Sequence, residues 1–219
     1  MPLMLSCRKR DRPGRCTQRG GFAVAADDEP KIVAFIGAGC VGKTTLFEAY
    51  RRRFAGDSRV SFASESAKLY FSTHKIPDED RFEAPAQGEI QAMALQAEQE
   101  ACDRGRLVFA DRCAIDYPIY VSAMGDTSGS LDLLSRAQPW LRRYLRIFLL
   151  DPTGIPFVQT AERRENAQMR TLLHREYLSF LQRHNISYRL LIGSVEQRMS
   201  DVDAELEKVF TADLRPDFR

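Results

Sequence analysis

The stretch Lys31–Phe47, KIVAFIGAGCVGKTTLF, runs from a continuous apolar segment through a glycine-rich turn straight into a helical pattern. A buried strand that hands over to a helix across glycines confines the chain to parallel α/β architectures, because such a turn aims the backbone N–H groups of the helix start at an anion. The glycines admit two spellings. Gly37, Gly39 and Gly42 fit the G-x-G-x-x-G of dinucleotide binding, whereas Gly37, Gly42, Lys43 and Thr44 fit the G-x-x-x-x-G-K-[ST] of a phosphate-binding loop. In favour of the first, Glu65 follows the next apolar run, 23 residues beyond Gly42, near where a ribose-binding acid would stand. That spelling leaves Lys43 and Thr44 without a task. In the second every residue has one: loop amides cradle the phosphates, Lys43 reaches the β and γ oxygens, and the Thr44 hydroxyl serves Mg²⁺. The second is therefore preferred, and it points to phosphoryl chemistry rather than hydride transfer.

The rest of the chain supplies the sheet that this turn needs. Apolar runs recur at 31–37, 59–64, 106–111, 145–151 and 187–193. Helical patterns lie between them at about 43–54, 85–103, 115–143 and 160–184, with a last one from 195 to about 210. Strands that alternate with helices predict one parallel sheet. The third run, RLVFADRC, places Asp111 just past a buried strand. Alone, such an acid would equally cap a helix; joined to the loop it reads as the Walker B acid near Mg²⁺. Cys40, inside the loop, reads as a small packing residue, with a redox-sensitive thiol at a helix N-terminus as the alternative.

Composition narrows the class. With 219 residues, 44% of them hydrophobic, the chain can bury one sizeable core and is too short for two ordinary enzyme domains. The domain is expected over residues 30–219, behind a basic tail, 1–29, whose Arg- and Gly-rich composition predicts disorder. Residues 1–19 hold six basic residues and one acid against a net charge of +2 for the whole chain, so the remainder is acidic by three. An acidic body argues against nucleic acid as a partner and leaves weak polyanion binding to the tail. No apolar run reaches the roughly 18 residues that span a bilayer. The five cysteines form neither a C-x-x-C nor a His-paired pattern. A cytoplasmic protein with reduced thiols and no structural zinc is expected.

IGAGCVGKTTL, then ASESAKLYF after the second strand, FADRCAIDYPIY, TAERRENAQMR and a last GSVEQRMSDV occur in an order and spacing similar to the P-loop domain of the NadR-like kinase/ATPase family. More distantly they resemble thymidylate and deoxynucleoside kinases. The resemblance covers about Lys31–Phe210. It implies a three-layer α/β fold with a five-stranded parallel sheet in the order 2-3-1-4-5 and a small helical lid. It implies ATP and Mg²⁺, with nucleotide contacts from Gly37, Ala38, Gly39, Cys40, Val41, Gly42, Lys43, Thr44 and Thr45, and metal contacts from Thr44 and Asp111. Arg112 is implied on the acceptor side and Glu65 near the acceptor hydroxyl as a carboxylate that can take its proton, the competing role for Glu65 being solvation or a helix cap. Arg163, Arg164 and Arg170 fall where a lid would close over the transferring phosphoryl, against the alternative of a solvated helix with Glu162 and Glu165 as charge partners. The Asp-Gly that often precedes the lid arginine in that family is absent, Thr160, Ala161 and Glu162 standing there instead. Gln91 and Glu98 either face the acceptor pocket or form a polar helix face.

Two irregular stretches, 72–88 and 151–170, are expected on the ligand side of the sheet. The chemistry expected is ATP- and Mg²⁺-dependent phosphoryl transfer to a small nucleoside- or nucleotide-like acceptor. A regulatory ATPase or nucleotide-switched binding protein is the alternative, and it needs no acceptor pocket. A nucleic-acid enzyme would want a basic channel across the body. No guanine-reading N-K-x-D occurs, which favours adenine.

Overall fold

The computed structural model describes residues 29–159 and 165–208. The basic tail, apart from Glu29, therefore lies outside the described residues. Five strands, β1 (Lys31–Ile36), β2 (Val60–Ala63), β3 (Leu107–Asp111), β4 (Tyr144–Leu150) and β5 (Arg189–Leu191), form one sheet in the order β2-β3-β1-β4-β5. Every neighbouring pair is parallel, in agreement with the order that the resemblance implies. The strands are shorter than the apolar runs because the polar and glycine ends drop out; β1 stops at Ile36 as Gly37 turns to φ +137°.

Seven α-helices cover the sheet among the described residues: α1 (Lys43–Arg53), α2 (Ser66–Thr73), α3 (Ala84–Arg104), α4 (Asp116–Ala123), α5 (Thr127–Ala137), α6 (Ala167–Arg183) and α7 (Val195–Glu207). The helical pattern at 115–143 is split at Gly125, which takes φ +90°, and ends in a 3-10 segment, Gln138–Arg143. The irregular stretch 72–88 is broken by a 3-10 turn, Glu79–Phe82, and by the start of α3, where Pro85 sits in the first turn without losing a needed N–H. α6 begins at Ala167, where the Asn166 side chain accepts the Met169 N–H at 2.8 Å and caps the free amides. Among the described residues no helix is long and apolar enough to cross a membrane.

Burial on both faces explains why the strands read as unbroken apolar runs: Ile32 to Ile36 of β1 are fully buried. Tyr50 of α1 stacks on Phe109 of β3 at 4.6 Å, and Phe109 on Phe35 of β1 at 6.0 Å. The Tyr50 hydroxyl, unable to stay unpaired there, donates to Asp203 of α7 at 2.7 Å. In register, Phe35 lies beside Asp111 of β3 on one side and Phe148 of β4 on the other. The strand order reverses on either side of β1, so the turn after Ile36 opens at the point where open parallel sheets bind ligands.

Candidate nucleotide and acceptor site

The loop Gly37–Gly42 leaves β1 and returns into α1 through two glycines with positive φ, Gly37 at +137° and Gly42 at +90°, and through Cys40 at +56°. Lys43, the first residue of α1, folds back over this loop. Its ammonium, 6% exposed, donates to the carbonyls of Gly37 at 2.8 Å and Ala38 at 2.7 Å. Burial, helped by the nearby Arg112 charge, lowers the Lys43 pKa to about 8. A cation hydrogen-bonded to two neutral carbonyls in a cradle of amides is poised to exchange them for phosphate oxygens. A glycine helix partner, as in dinucleotide binding, has no use for that group.

Beside the loop, the Thr44 hydroxyl donates to Asp111 Oδ2 at 2.7 Å. Asp111 Oδ1 is buried without a partner, and burial pushes the carboxyl up from its ordinary range. A hydroxyl and a half-satisfied carboxylate, both oxygen donors, fit a hard cation such as Mg²⁺, which takes few protein ligands and completes its shell with phosphate and water. Among the described residues no cluster of three or more His, Cys, Asp or Glu competes as a metal centre.

The next residue, Arg112, sits at φ +79°, outside the conformations that a side chain favours. Its Nε donates to Glu65 Oε1 at 2.6 Å, and its Nη1 to Tyr120 Oη at 3.2 Å, with Asp116 Oδ1 at 3.4 Å. Burial alone would raise the Glu65 carboxyl, but Arg112 and then Lys43 outweigh it and hold it at about 2. Asp116 is fully buried, accepts the Cys113 N–H at 2.8 Å and takes the Tyr177 hydroxyl at 2.5 Å. Glu65 is thus neither solvated nor a side-chain cap of α2, where no such cap bond forms.

A cleft of about 760 Å³ joins these groups. One end is the loop from Gly39 to Thr45; the other is walled by Phe71, Phe82, Tyr117 and Tyr120, with Arg81 and Gln87 between. Phe82 stacks on Tyr120 at 5.8 Å, and Arg81 lies over the Phe71 ring at 4.6 Å. Glu165 closes the loop side: its Oε1 accepts the Tyr120 hydroxyl at 2.6 Å, while Oε2 is buried without a partner, where a methyl group on Gly39 would strike it. A carboxylate therefore rests against the anion cradle, and Gly39 is what admits it.

The structure brings Lys43, Thr44, Glu65 and Arg112 into one cleft, and Asp111 stands just behind its lining, hydrogen-bonded to Thr44. It places Arg170 elsewhere: Nη1 donates to the Ile155 carbonyl at 2.8 Å, and the guanidinium borders a separate depression beside His174, not the cleft wall. Arg163 and Arg164 lie outside the described residues. Gln91 and Glu98 do not line the cleft but stand behind its wall, 1% and 2% exposed. Reading the chain missed Arg198, which donates to the Val41 carbonyl at 2.5 Å and the Asp151 carbonyl at 2.7 Å and so ties α7 to the loop. Its signal was present: an arginine on the stripe of Val202 and Leu206, both buried. Asp116, in the otherwise apolar CAIDYPIY, carried a similar signal.

A family model described as an AAA domain matches residues 32–198. No curated protein matches the sequence. Among solved structures, the NadR protein in complex with NAD and AMP-PNP superposes with a TM-score of 0.57 at 20% identity, over 86% of this chain and 52% of that one. The same protein in complex with NR gives 0.59. The chain thus spans about half the length of these NadR proteins. Thymidylate kinase from Candida albicans gives 0.60 at 12% identity over 83% of this chain and 92% of that one, and the enzyme from Ehrlichia chaffeensis 0.55 at 11%. At such identities the likeness establishes the fold, that of P-loop kinases.

Proposed function

Because the chain belongs to the AAA domain family of P-loop NTPases, we propose that it transfers the γ-phosphoryl of ATP to a small nucleoside- or nucleotide-like acceptor. The observation that carries this reading is the second half of the cleft. Beyond the phosphate loop, four aromatic side chains and the Glu65–Arg112 pair wall a compartment that a nucleotide switch would not need. Aromatic faces suit a planar ring, with polar groups to fix its orientation. The NadR complexes with NAD, AMP-PNP and NR support a nucleotide and a nucleoside-like ligand for this fold.

In this reading Lys43 leaves the Gly37 and Ala38 carbonyls for the β and γ oxygens, and the loop amides hold the rest of the polyphosphate. Thr44 and Asp111 would hold Mg²⁺, which would supply charge neutralisation for the polyphosphate. Held below the ordinary carboxylate range by Arg112 and Lys43, Glu65 stays ionised and acts by accepting the acceptor's hydrogen bond and aiming its oxygen. Phosphoryl transfer asks for positioning and charge more than for a strong base. Arg112, its charge balanced by Glu65, favours a neutral hydroxyl over a phosphate beside it. The test is to incubate the protein with ATP and Mg²⁺ against a panel of nucleosides, nucleotides and pyridine-nucleotide precursors. A phosphorylated product equal to the ATP consumed, with transfer depressed by Glu65→Gln, is expected. ATP hydrolysis that ignores every acceptor and both Glu65→Gln and Arg112→Ala would replace the kinase with a regulatory ATPase.

A further inference from the structure

Behind the acceptor wall, α3 turns polar residues into the core. Glu98, 2% exposed, accepts the Tyr144 hydroxyl at 2.8 Å and the Trp140 indole N–H. The same Tyr144 oxygen accepts the backbone N–H of Ala114 at 3.0 Å. Gln91, two helical turns earlier on α3, donates to the Ala114 carbonyl at 2.9 Å. Both backbone polar groups of Ala114 are thus held by side chains that reach α3, the N–H through Tyr144 and the carbonyl directly. Ala114 lies two residues past Arg112, whose left-handed φ of +79° has to be imposed by what surrounds it. The Arg112 N–H is pinned on the other side by the Phe35 carbonyl at 2.9 Å.

We propose that Glu98, acting through the Tyr144 hydroxyl, is a positioning residue that sets the turn Arg112–Ala114 and so the aim of the Arg112 guanidinium. The inference rests on the reading of Arg112 as an acceptor-side group. A charged Glu98 orients the Tyr144 O–H toward itself and leaves the phenol lone pair for Ala114; a protonated Glu98 no longer requires that orientation. The groups that face it are Tyr144 of β4, Trp140 and Arg143 of the 3-10 segment, Asp116 and Tyr117 of α4, Cys102 of α3 and Cys113 of the turn. Burial is the largest influence and carries its pKa to about 8, so its charge changes within a range where the protein can be studied folded.

The chain has one tryptophan, and it donates to Glu98, so a single indole N–H cross-peak in a ¹⁵N-labelled sample reports the charge of Glu98. The Arg112 Nε–H, bound to Glu65 at 2.6 Å, reports the guanidinium. Both are followed across about pH 6 to 9.5 in the full chain carrying Lys43→Arg, which removes the other group near Arg112 with a pKa of about 8. The expected result is that both cross-peaks move with one midpoint near 8. Adding Glu98→Gln abolishes both movements. Adding Tyr144→Phe leaves the indole titrating and stills Arg112. The proposal is overturned if Arg112 stays put while the indole titrates. It is equally overturned if Arg112 still follows in Tyr144→Phe, which would assign the effect to a route that bypasses the Tyr144 hydroxyl. Tyr144→Phe removes one oxygen and keeps the ring, so it decides the matter even where Glu98→Gln does not fold. Neither nucleotide nor acceptor is needed, so a failed acceptor screen leaves this result standing and the reverse also holds.

Discussion

Glu65→Gln should destabilise the protein by about 3 kcal/mol at pH 7, and the loss should shrink in acid. Glu65 is held at about 2 against an ordinary 4.5, and each unit of separation is worth about 1.4 kcal/mol, which yields about 3. The pair is buried, each side chain 12% exposed, so solvent screening takes little from this figure. Removing one partner of a buried ion pair costs about 3 to 5 kcal/mol. The lower end applies because Arg112 keeps Asp116 and Tyr120. The sign follows from a depressed carboxyl: the stability is fully present above the unfolded value of 4.5 and is lost as pH falls through it toward 2. By about pH 3 less than half should remain. Urea unfolding of both proteins, followed by the fluorescence of the lone tryptophan, measures the gap. A difference below about 1 kcal/mol at pH 7, or one that does not narrow in acid, would refute the account of Glu65 as the partner that fixes Arg112.

Lys43→Ala should keep the melting temperature and lose most ATP affinity in calorimetric titration; equal affinity would return the loop to the dinucleotide reading. In Asp111→Asn, nucleotide binding should weaken in Mg²⁺ and stay nearly unchanged in EDTA, whereas an equal loss in both would reduce Asp111 to a structural acid. Glu165→Gln takes a negative charge off the loop. A unit charge against the phosphate cradle repels the polyphosphate, so ATP should bind at least about tenfold tighter in a fluorescent-nucleotide titration. Unchanged affinity would show that the carboxylate does not oppose the nucleotide.

What was legible in the chain is what is local. The phosphate loop is a contiguous segment, and its glycines are dictated by the φ values at Gly37 and Gly42. Asp111 follows an apolar run, so its place at a strand end could be read, but its pairing with Thr44 required β3 to lie beside β1, and the order of strands came from resemblance rather than from spacing. Glu65 and Arg112 were each singled out, yet nothing in the sequence joined them across 47 positions. The left-handed turn at Arg112 had no signal either, since it occurs at a residue type that carries no preference for it.

The polar stripe of α3 was misread for a physical reason that also yields a prediction. Gln91 and Glu98 read as either facing the acceptor pocket or forming a polar helix face, and neither reading allows for a polar residue buried behind the wall. In the structure Gln87 and Gln91 are inside because the turns beside the cleft leave backbone carbonyls for them to pair, while Glu98 takes the Trp140 and Tyr144 side chains. Gln87 answers the Arg81 carbonyl, and Gln91 that of Ala114. Ala114 shows why the need arises. Its carbonyl precedes α4, and the residue four positions on, which would normally donate to it, is Pro118, with no N–H to give. Gln91→Leu adds apolar volume to a site that is 1% exposed, and hydrophobic bookkeeping alone would call it stabilising. It also strips the donor from a buried carbonyl that has no helical substitute, a loss of about 1 to 3 kcal/mol, while the Leu133 carbonyl, inside α5, keeps its helical setting. The net expectation is a destabilisation of about 2 kcal/mol in urea unfolding. A Gln91→Leu protein as stable as the parent would mean that the turn finds another donor, and that the polar residues of α3 are not there to satisfy the turns of the site.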